Sequence, residues 1–229
     1  MIYLHIGGGA GDLDPSTNYR DGFSEFVKSK NDKNKKIFIV EANPANIKKL
    51  KRSWKNFKNV KIINIAITRN NVGKKMFYYS EKDAPHYQLF SSKKKHVMQH
   101  YPDSKIKKTK LLCMGINSFL DKYLKNQSID WFSIDIEGTD YEVMMSLNLK
   151  KYEIKNVSLE YLHLKKAQKK RIIKKLIKFG YSYYGFGLDH NKIDWLFKKK
   201  ISRWNNLIAK MFPYIHRIHY KRLNKILLK

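Results

Sequence analysis

The chain has 229 residues, of which 42% are hydrophobic and 14% aromatic, so it is long enough to bury the core of one folded domain and is not a disordered chain. Its 48 Lys and Arg residues against 19 acids give a formal net charge of +29, which favours an anionic partner or surface. The single cysteine, Cys113, excludes a disulfide framework, and no run approaches the roughly 20 apolar residues of a membrane span. Because residues 1–6 read as a strand and not as a signal peptide, we expect a cytoplasmic protein.

The first predicted element is the apolar strand over residues 1–6, which leads directly into a glycine cluster at Gly7, Gly9 and Gly11. Glycine adopts positive φ and lets the backbone approach a ligand closely. A glycine-rich turn after the first strand of an open α/β sheet is a nucleotide-binding position, although a glycine cluster alone also suits a plain turn. The Gly-x-Gly-x-Gly spacing differs from the dinucleotide fingerprint and favours S-adenosylmethionine, which has no pyrophosphate.

The second predicted strand, residues 36–41, ends in an acidic residue. Its last residue, Glu41, is placed to accept hydrogen bonds from both hydroxyls of a ribose held beside the glycine cluster. Asn43 and Pro44 follow and predict the start of a helix, because proline suits the first helical turn. The two strand ends together predict a nucleoside-binding frame.

The middle of the chain is predicted as a third strand over residues 60–68 and a further strand over residues 76–79. From residue 81 to residue 110 no regular pattern holds, and seven lysines lie between Lys93 and Lys110. Long stretches without regular structure are usually functional or mobile, so we interpret residues 81–110 as a flap-like insertion on the substrate side. A merely solvated loop is the alternative interpretation.

The second informative stretch is residues 129–138, an apolar strand that ends in the carboxylates Asp135 and Glu137. A later strand ends near Glu160 and His163. The other predicted elements after residue 110 are a short extended piece over residues 111–114, helices over residues 118–124, 139–147 and 165–179, and strands over residues 154–162, 181–188 and 192–199. Alternating strands and helices predict an α/β domain with a mostly parallel sheet and helices on both faces.

Four stretches, in this order, resemble the FkbM-type methyltransferases: residues 6–11, 40–44, 64–67 and 133–143. The Asp-Ile-Glu-Gly run in the last stretch is the most specific of them. The resemblance spans residues 1–199 and implies the class I, Rossmann-like methyltransferase fold, in which a seven-stranded sheet has an antiparallel last strand. It also implies O-methylation with S-adenosylmethionine as cofactor, often of sugar hydroxyls in natural products or glycans.

The resemblance assigns roles to individual residues. Members of the family usually carry an acid where this chain has His5, and Ala66 lies where their adenine-contacting turn is found. Asp135 would bind the methionine amino group, orient the acceptor or ligate a divalent cation. The full set of predicted cofactor-binding residues is His5, Gly7, Gly9, Gly11, Glu41, Asn43, Ala66 and Asp135.

Methyl transfer to a sugar hydroxyl requires a base, because the hydroxyl is a weak acid and must lose its proton. The predicted catalytic residues are Asp135, Glu137, Glu160 and His163. A lone histidine is also common as a structural residue, which is the alternative for His163. Asp135 with Glu160 would suit a hard divalent cation, but no ligand spacing requires a metal.

Two other functions stay open at this stage. An RNA 2′-O-methyltransferase would explain the positive charge, although no RNA-binding motif is visible. A protein with the same fold that has lost catalysis and binds membranes or glycans would explain His5 in the place of an acid.

The C-terminal tail is predicted as a separate unit, with the catalytic domain over residues 1–199 and a basic amphipathic helical tail over residues 200–229. Residues 198–229 contain ten Lys and Arg residues and no acid. Arg217, Lys221 and Lys225 recur every four residues beside an apolar side, a pattern typical of an interfacial membrane segment. We therefore expect contact with an anionic membrane surface, the alternatives being a helix pair packed on the domain or a contact with RNA.

Overall fold

The computed structural model describes residues 1–11, 22–80, 89–136, 139–188 and 194–199. Its elements, in chain order, are β1 (Ile2–Ile6), α1 (Gly22–Ser29), β2 (Lys36–Val40), α2 (Pro44–Ser53), β3 (Val60–Ile63), β4 (Ala66–Thr68), β5 (Gly73–Ser80), α3 (Lys94–His100), β6 (Ile106–Gly115), α4 (Ile116–Leu124), β7 (Ile129–Ile134), α5 (Asp140–Ser146), β8 (Ile154–Glu160), α6 (Lys166–Lys178), β9 (Tyr181–Phe186) and β10 (Asp194–Lys199). The predicted tail, residues 200–229, lies outside the described residues.

The main sheet has seven strands in the order β3-β2-β1-β7-β8-β10-β9. Strands β3, β2, β1, β7 and β8 pair in parallel, whereas β10 is antiparallel to both β8 and β9. Every residue of β1 is buried, as expected for a central strand of a parallel sheet that is covered on both faces. The predicted class I fold, with its antiparallel last strand, is confirmed.

Helices cover both faces of this sheet, as predicted. On one face, apolar residues of α4, α5 and α6 pack with sheet residues such as Ile6, Phe132 and Leu159 in the larger core cluster. On the other face, Phe23 of α1 and Leu50 of α2 pack in a smaller cluster. Successive residues of a strand point to opposite faces, so each central strand contributes to both clusters.

The predicted third strand over residues 60–68 is wrong, because the chain turns in its middle. Strand β3 stops at Ile63, and the side-chain amide of Asn64 donates to the carbonyl oxygens of Glu41 at 2.8 Å and Ala42 at 3.0 Å. The next strand, β4, leaves the main sheet and pairs with β6 in a second, three-stranded sheet of order β4-β6-β5. Asn64 thus anchors the turn to the residues that follow β2. The apolar run of residues 60–68 is therefore divided between two sheets.

The interpretation of residues 81–110 as a stretch without regular structure is also wrong for part of its length. Residues 94–100 form α3, and residues 106–110 are the first half of β6, which pairs with β5 over eight residue pairs. The ring of Phe90 stacks on Phe77 with 4.7 Å between centroids, which ties the chain before α3 to this sheet. Residues 81–88 lie outside the described residues, and a role as a substrate flap stays a prediction.

Helix α6 is basic, but its lysines do not all face solvent. The Lys175 ammonium donates to the carbonyl oxygens of Met144 at 2.9 Å, Met145 at 2.7 Å and Leu147 at 2.7 Å, at the end of α5. Met144 and Met145 lie in the last turn of α5, where carbonyls have no partner within the helix, so Lys175 satisfies them and fastens α6 to α5. At 13 residues α6 is the longest helix described, and none of the described helices has the length and hydropathy of a membrane span.

Candidate functional site

The carboxyl ends of the parallel strands meet at one edge of the main sheet, and their registers align the residues that follow. Ile6 pairs with both Val40 and Ile134. Ile134 pairs in turn with Leu159. One position further on, five residues of neighbouring strands form a row along this edge: Glu41, Gly7, Asp135, Glu160 and Asp194.

The glycine cluster forms a tight turn against the neighbouring strand ends. The backbone amides of Gly7 and Gly8 both donate to the carbonyl oxygen of Val40, at 2.9 and 3.1 Å. Gly7 has φ of +92°, and a Cβ built on it would lie 1.5 Å from the carbonyl oxygen of Asp135. Only glycine fits there, because no side chain adopts this conformation without strain and the obstructing atom belongs to the backbone.

The other two predicted glycines also have positive φ, +53° at Gly9 and +77° at Gly11. A Cβ on Gly11 would lie 2.5 Å from the side-chain oxygen of Ser53, in α2, so this glycine allows the turn to approach the helix. The predicted glycines are thus required by the geometry of the turn, while their contact with a cofactor stays a prediction.

Glu41 is buried against the glycine turn, with 7% of its surface exposed. One carboxylate oxygen accepts the backbone amide of Gly9 at 2.8 Å, and the other accepts the backbone amide of Asn43 at 2.6 Å. Burial raises the pKa of the Glu41 carboxyl to about 7, although the hydrogen bonds from Asn43, Gly9 and the Asn46 side chain oppose this shift. A carboxylate accepts at about four lone-pair positions, so ribose hydroxyls would share Glu41 with these backbone and side-chain donors.

Two asparagines hold the chain around Glu41. Asn43 caps α2, because its side-chain oxygen accepts the backbone amide of Ala45 at 3.1 Å. Asn64, as described above, fixes the turn into β4, where the buried Ala66 packs in a small cluster that Ala42 also contacts. Sequence reasoning missed the role of Asn64, although its place inside an apolar run was a visible signal.

His5 lies beneath the glycine turn and is 5% exposed. Its Nε2 atom lies 2.9 Å from the carbonyl oxygen of Gly7, so this nitrogen carries the proton and donates it. The ring packs edge-on against Phe23 with 4.5 Å between centroids, and Nδ1 is buried with no hydrogen-bond partner among the described residues. The imidazole thus supports the turn from below, at the position where the resemblance predicts an acid.

The carboxylate-rich loop after β7 is anchored at both ends. The backbone amide of Asp135 donates to the carbonyl oxygen of Ile6 at 2.9 Å, which extends the pairing of β1 with β7. The side chain of Asp140, which is 2% exposed, accepts the backbone amide of Ile136 at 2.9 Å. Sequence reasoning missed Asp140, whose signal was an acid in the first turn of the predicted helix over residues 139–147. Glu137 lies outside the described residues.

Glu160 and Asp194 form the far end of the row, and His163 lies beside Glu160. One carboxylate oxygen of Glu160 lies 3.4 Å from His163 Nε2, and Glu160 is buried whereas His163 is half exposed. Asp194 was not predicted as a site residue, because in the sequence it reads as an ordinary position of the last strand. Its carboxylate accepts the hydroxyl of the fully buried Ser158 at 3.1 Å, next to Glu160 in the adjacent strand.

The site is acidic although the chain carries a net charge of +29, because four members of the edge row are carboxylates. Such an edge favours a ligand that carries positive charge. Within the part of the chain that the structure describes, no group of three or more His, Cys, Asp or Glu side chains is arranged to hold a metal ion.

Comparisons with known proteins agree with this geometry. Residues 5–183 match the family model described as the methyltransferase FkbM domain. No curated protein matches the chain in sequence.

Several solved structures are similar at low identity. They include a suggested RNA methyltransferase of Pyrococcus horikoshii (11% identity, TM-score 0.43, covering 88% of this chain and 74% of that one). The precorrin-6y C5,15-methyltransferase of Geobacter metallireducens is 12% identical, with a TM-score of 0.42 and coverage of 87% of this chain and 80% of that one. Fibrillarin of Aeropyrum pernix, with natively bound S-adenosylmethionine, is 13% identical, with a TM-score of 0.42 and coverage of 86% and 64%. At these values the likenesses say nothing about the acceptor.

Proposed function

This chain belongs to the FkbM methyltransferase family and is an S-adenosylmethionine-dependent methyltransferase, and we propose that it methylates a hydroxyl oxygen of a sugar in a glycan or glycoconjugate. The observation that carries the proposal is the row of residues at the carboxyl edge of the sheet. Its first part, Glu41 and Gly7, suits a nucleoside. Its second part, Asp135 and Glu160, suits a hydroxyl that must lose a proton.

The residues present fit the cofactor. Glu41 would accept the ribose hydroxyls, and its hydrogen bond from the Gly9 amide holds the glycine turn beside it. The carboxylates of the edge row complement the positive charges of the sulfonium and ammonium groups. The cofactor supplies an activated methyl group, and the chain contributes the position of the acceptor relative to that group.

The proton of the acceptor hydroxyl is the part of the chemistry that the chain itself must handle. Asp135 and Glu160 are neighbours at the edge, so either carboxylate can lie beside a hydroxyl bound above β7 and β8. His163, 3.4 Å from Glu160 and half exposed, can pass a proton on to solvent. In this proposal one carboxylate orients the hydroxyl and another accepts its proton during or after methyl transfer.

The proposal is tested with a labelled methyl donor. We would incubate the full-length protein with methyl-labelled S-adenosylmethionine and, separately, with a glycan fraction and with bulk RNA. Label in the glycan fraction supports the proposal. Label in RNA alone would replace it with the 2′-O-methyltransferase alternative, and cofactor binding without label in either fraction would indicate a protein that has lost catalysis.

We expect the affinity for S-adenosylmethionine to fall when the pH drops below about 7, because the pKa of Glu41 is raised to about 7 and protonation removes both a hydrogen-bond acceptor and a charge. The loss approaches about tenfold per pH unit well below that pKa. Calorimetric titration at pH 6, 7 and 8 measures it. In the control variant Glu41→Gln the group does not titrate, so its affinity should stay level over this range; an equal pH dependence in both proteins would assign the effect to another group.

A further inference from the structure

The second sheet presents a face that the proposed reaction does not use. In the antiparallel pair of β5 and β6, Lys74 lies opposite Leu112 and Tyr78 lies opposite Lys108. Between them Met76 lies opposite Lys110, so all three pairs point to the same side of the sheet. We call this side the basic ribbon face; its residues are Lys74, Met76, Tyr78, Lys108, Lys110 and Leu112.

The cations of this face are available. Lys74, Lys108 and Lys110 are all exposed, and among the described residues none of the three makes a side-chain hydrogen bond or an ion pair. Strands β5 and β6 contain five lysines and no acid. Like charges on one sheet face repel each other, so this arrangement lowers the stability of the sheet unless an anion binds.

Other lysines of the chain contrast with these three. Lys151 pairs with Asp121 at 2.6 Å, and Lys155 pairs with Asp130 at 2.8 Å. These two lysines each have a carboxylate beside them, and Lys175 has three backbone carbonyls. The basic ribbon face has neither.

The opposite side of the same sheet packs beside the candidate active site. There Leu111 and Cys113 form a buried cluster with Ala66, and Phe77 and Ala42 contact it. Ala42 directly follows Glu41, so the sheet that carries the basic ribbon face is fixed at the nucleoside end of the edge row. Because the sheet lies between this face and the site, a long molecule held here would extend past an edge of the sheet to reach the site.

The spacing of the face indicates the shape of its ligand. Successive pairs along a strand lie about 7 Å apart, so the three lysines are spread over about 14 Å and do not converge on one point. A single small anion cannot contact all three, whereas a linear polymer with a charge on each repeat can.

Each lysine also has an apolar neighbour across the strand pair, which suits the C–H face of a sugar ring. All five cations of the two strands are lysines and none is an arginine, the residue favoured for nucleic-acid recognition. We propose that the basic ribbon face binds a linear anionic polysaccharide, and that the sugar acceptor belongs to such a polymer; the second part rests on the proposed function.

The test compares two variants of the full-length protein that lose the same charge. One is Lys74→Gln/Lys108→Gln/Lys110→Gln on the basic ribbon face. The control is Lys166→Gln/Lys170→Gln/Lys174→Gln on the exposed side of α6, which leaves Lys175 in place. Fluorescently labelled polygalacturonate, neutral dextran and poly(U) are the probes, titrated at one moderate salt concentration.

We expect the wild type to bind polygalacturonate and not dextran, the ribbon variant to bind it about tenfold more weakly, and the control to change by less than about twofold. If both variants bind polygalacturonate equally more weakly than the wild type, the affinity depends on net charge alone and the inference is overturned. If the wild type binds poly(U) more tightly than polygalacturonate and the ribbon variant loses poly(U) binding, the face is an RNA surface. Phosphatidylglycerol vesicles serve as a further probe. If the ribbon variant loses affinity for these vesicles and the wild type binds none of the polymers, the face is a membrane surface.

Calorimetry with S-adenosylmethionine separates this inference from the proposed function. The ribbon variant should bind the cofactor like the wild type, because none of its three lysines touches the edge row. Cofactor binding without polygalacturonate binding overturns the inference and leaves the proposed function standing. Polygalacturonate binding through the ribbon, with methyl label incorporated only into RNA, overturns the proposed function and leaves the surface standing.

Discussion

Gly7→Ala is expected to abolish cofactor binding and to lower the free energy of unfolding by about 4 kcal/mol, because it combines a strained backbone with a clash. The new Cβ would lie 1.5 Å from the carbonyl oxygen of Asp135, at a φ of +92°. That oxygen belongs to the backbone next to the β1–β7 pairing and cannot move without separating the two strands. Urea unfolding and calorimetry with S-adenosylmethionine measure the two effects.

Gly73→Ala is the matched control for this variant. Gly73 also has a positive φ, +68°, but nothing lies within 4 Å of a Cβ built on it. Gly73→Ala should therefore lower the free energy of unfolding only by the cost of the strained backbone, about 1–2 kcal/mol. It should leave the affinity for S-adenosylmethionine unchanged. If Gly7→Ala instead binds the cofactor like the wild type, the cofactor does not lie at this turn.

Asp135→Asn is expected to lower the rate of methyl transfer by about 10²–10⁴-fold, because it keeps the shape of the side chain and removes the charge next to the acceptor. The measurement is the initial rate of label transfer to the acceptor fraction at saturating S-adenosylmethionine. Glu160→Gln tests the neighbouring carboxylate in the same assay, and a larger effect in that variant would identify Glu160 as the base.

Asp130→Asn is the control on the same strand. Asp130 lies at the opposite end of β7, where it pairs with Lys155 at 2.8 Å and accepts the backbone amide of Ile2. Its replacement should affect stability and not the rate at saturating cofactor. If Asp135→Asn and Glu160→Gln both turn over like the wild type, the carboxylates of the edge row are structural.

The main sheet was predictable because its signals are local. A strand that ends in glycines, a strand that ends in Glu41 and a strand that ends in Asp135 each carry their own pattern, and the resemblance fixed their order. Parallel strands bring their carboxyl ends to one edge, so the proximity of Gly7, Glu41 and Asp135 followed from the fold class.

The second sheet was not predictable in the same way. Three of the first five residues of strand β6 are lysines, which hide the apolar periodicity that indicates a strand. The turn at Asn64 depends on hydrogen bonds to Glu41 and Ala42, 22 or more residues away in sequence. Asp194 likewise enters the edge row only because β10 pairs antiparallel with β8. Contacts of this kind leave no pattern in a single sequence.

The most direct test of the cofactor site is a calorimetric titration of S-adenosylmethionine into the wild type and into Glu41→Ala at pH 8, where the Glu41 carboxyl is ionised. We expect one site per chain in the wild type, and binding weaker by about 1.5–3 kcal/mol in the variant, roughly 10- to 150-fold, because hydrogen bonds to a charged group are lost. Urea unfolding must show that the variant is folded, since Glu41 also holds the amides of Gly9 and Asn43. Equal affinity in the two proteins, or no binding to the folded wild type, would contradict a cofactor site at the ends of β1 and β2.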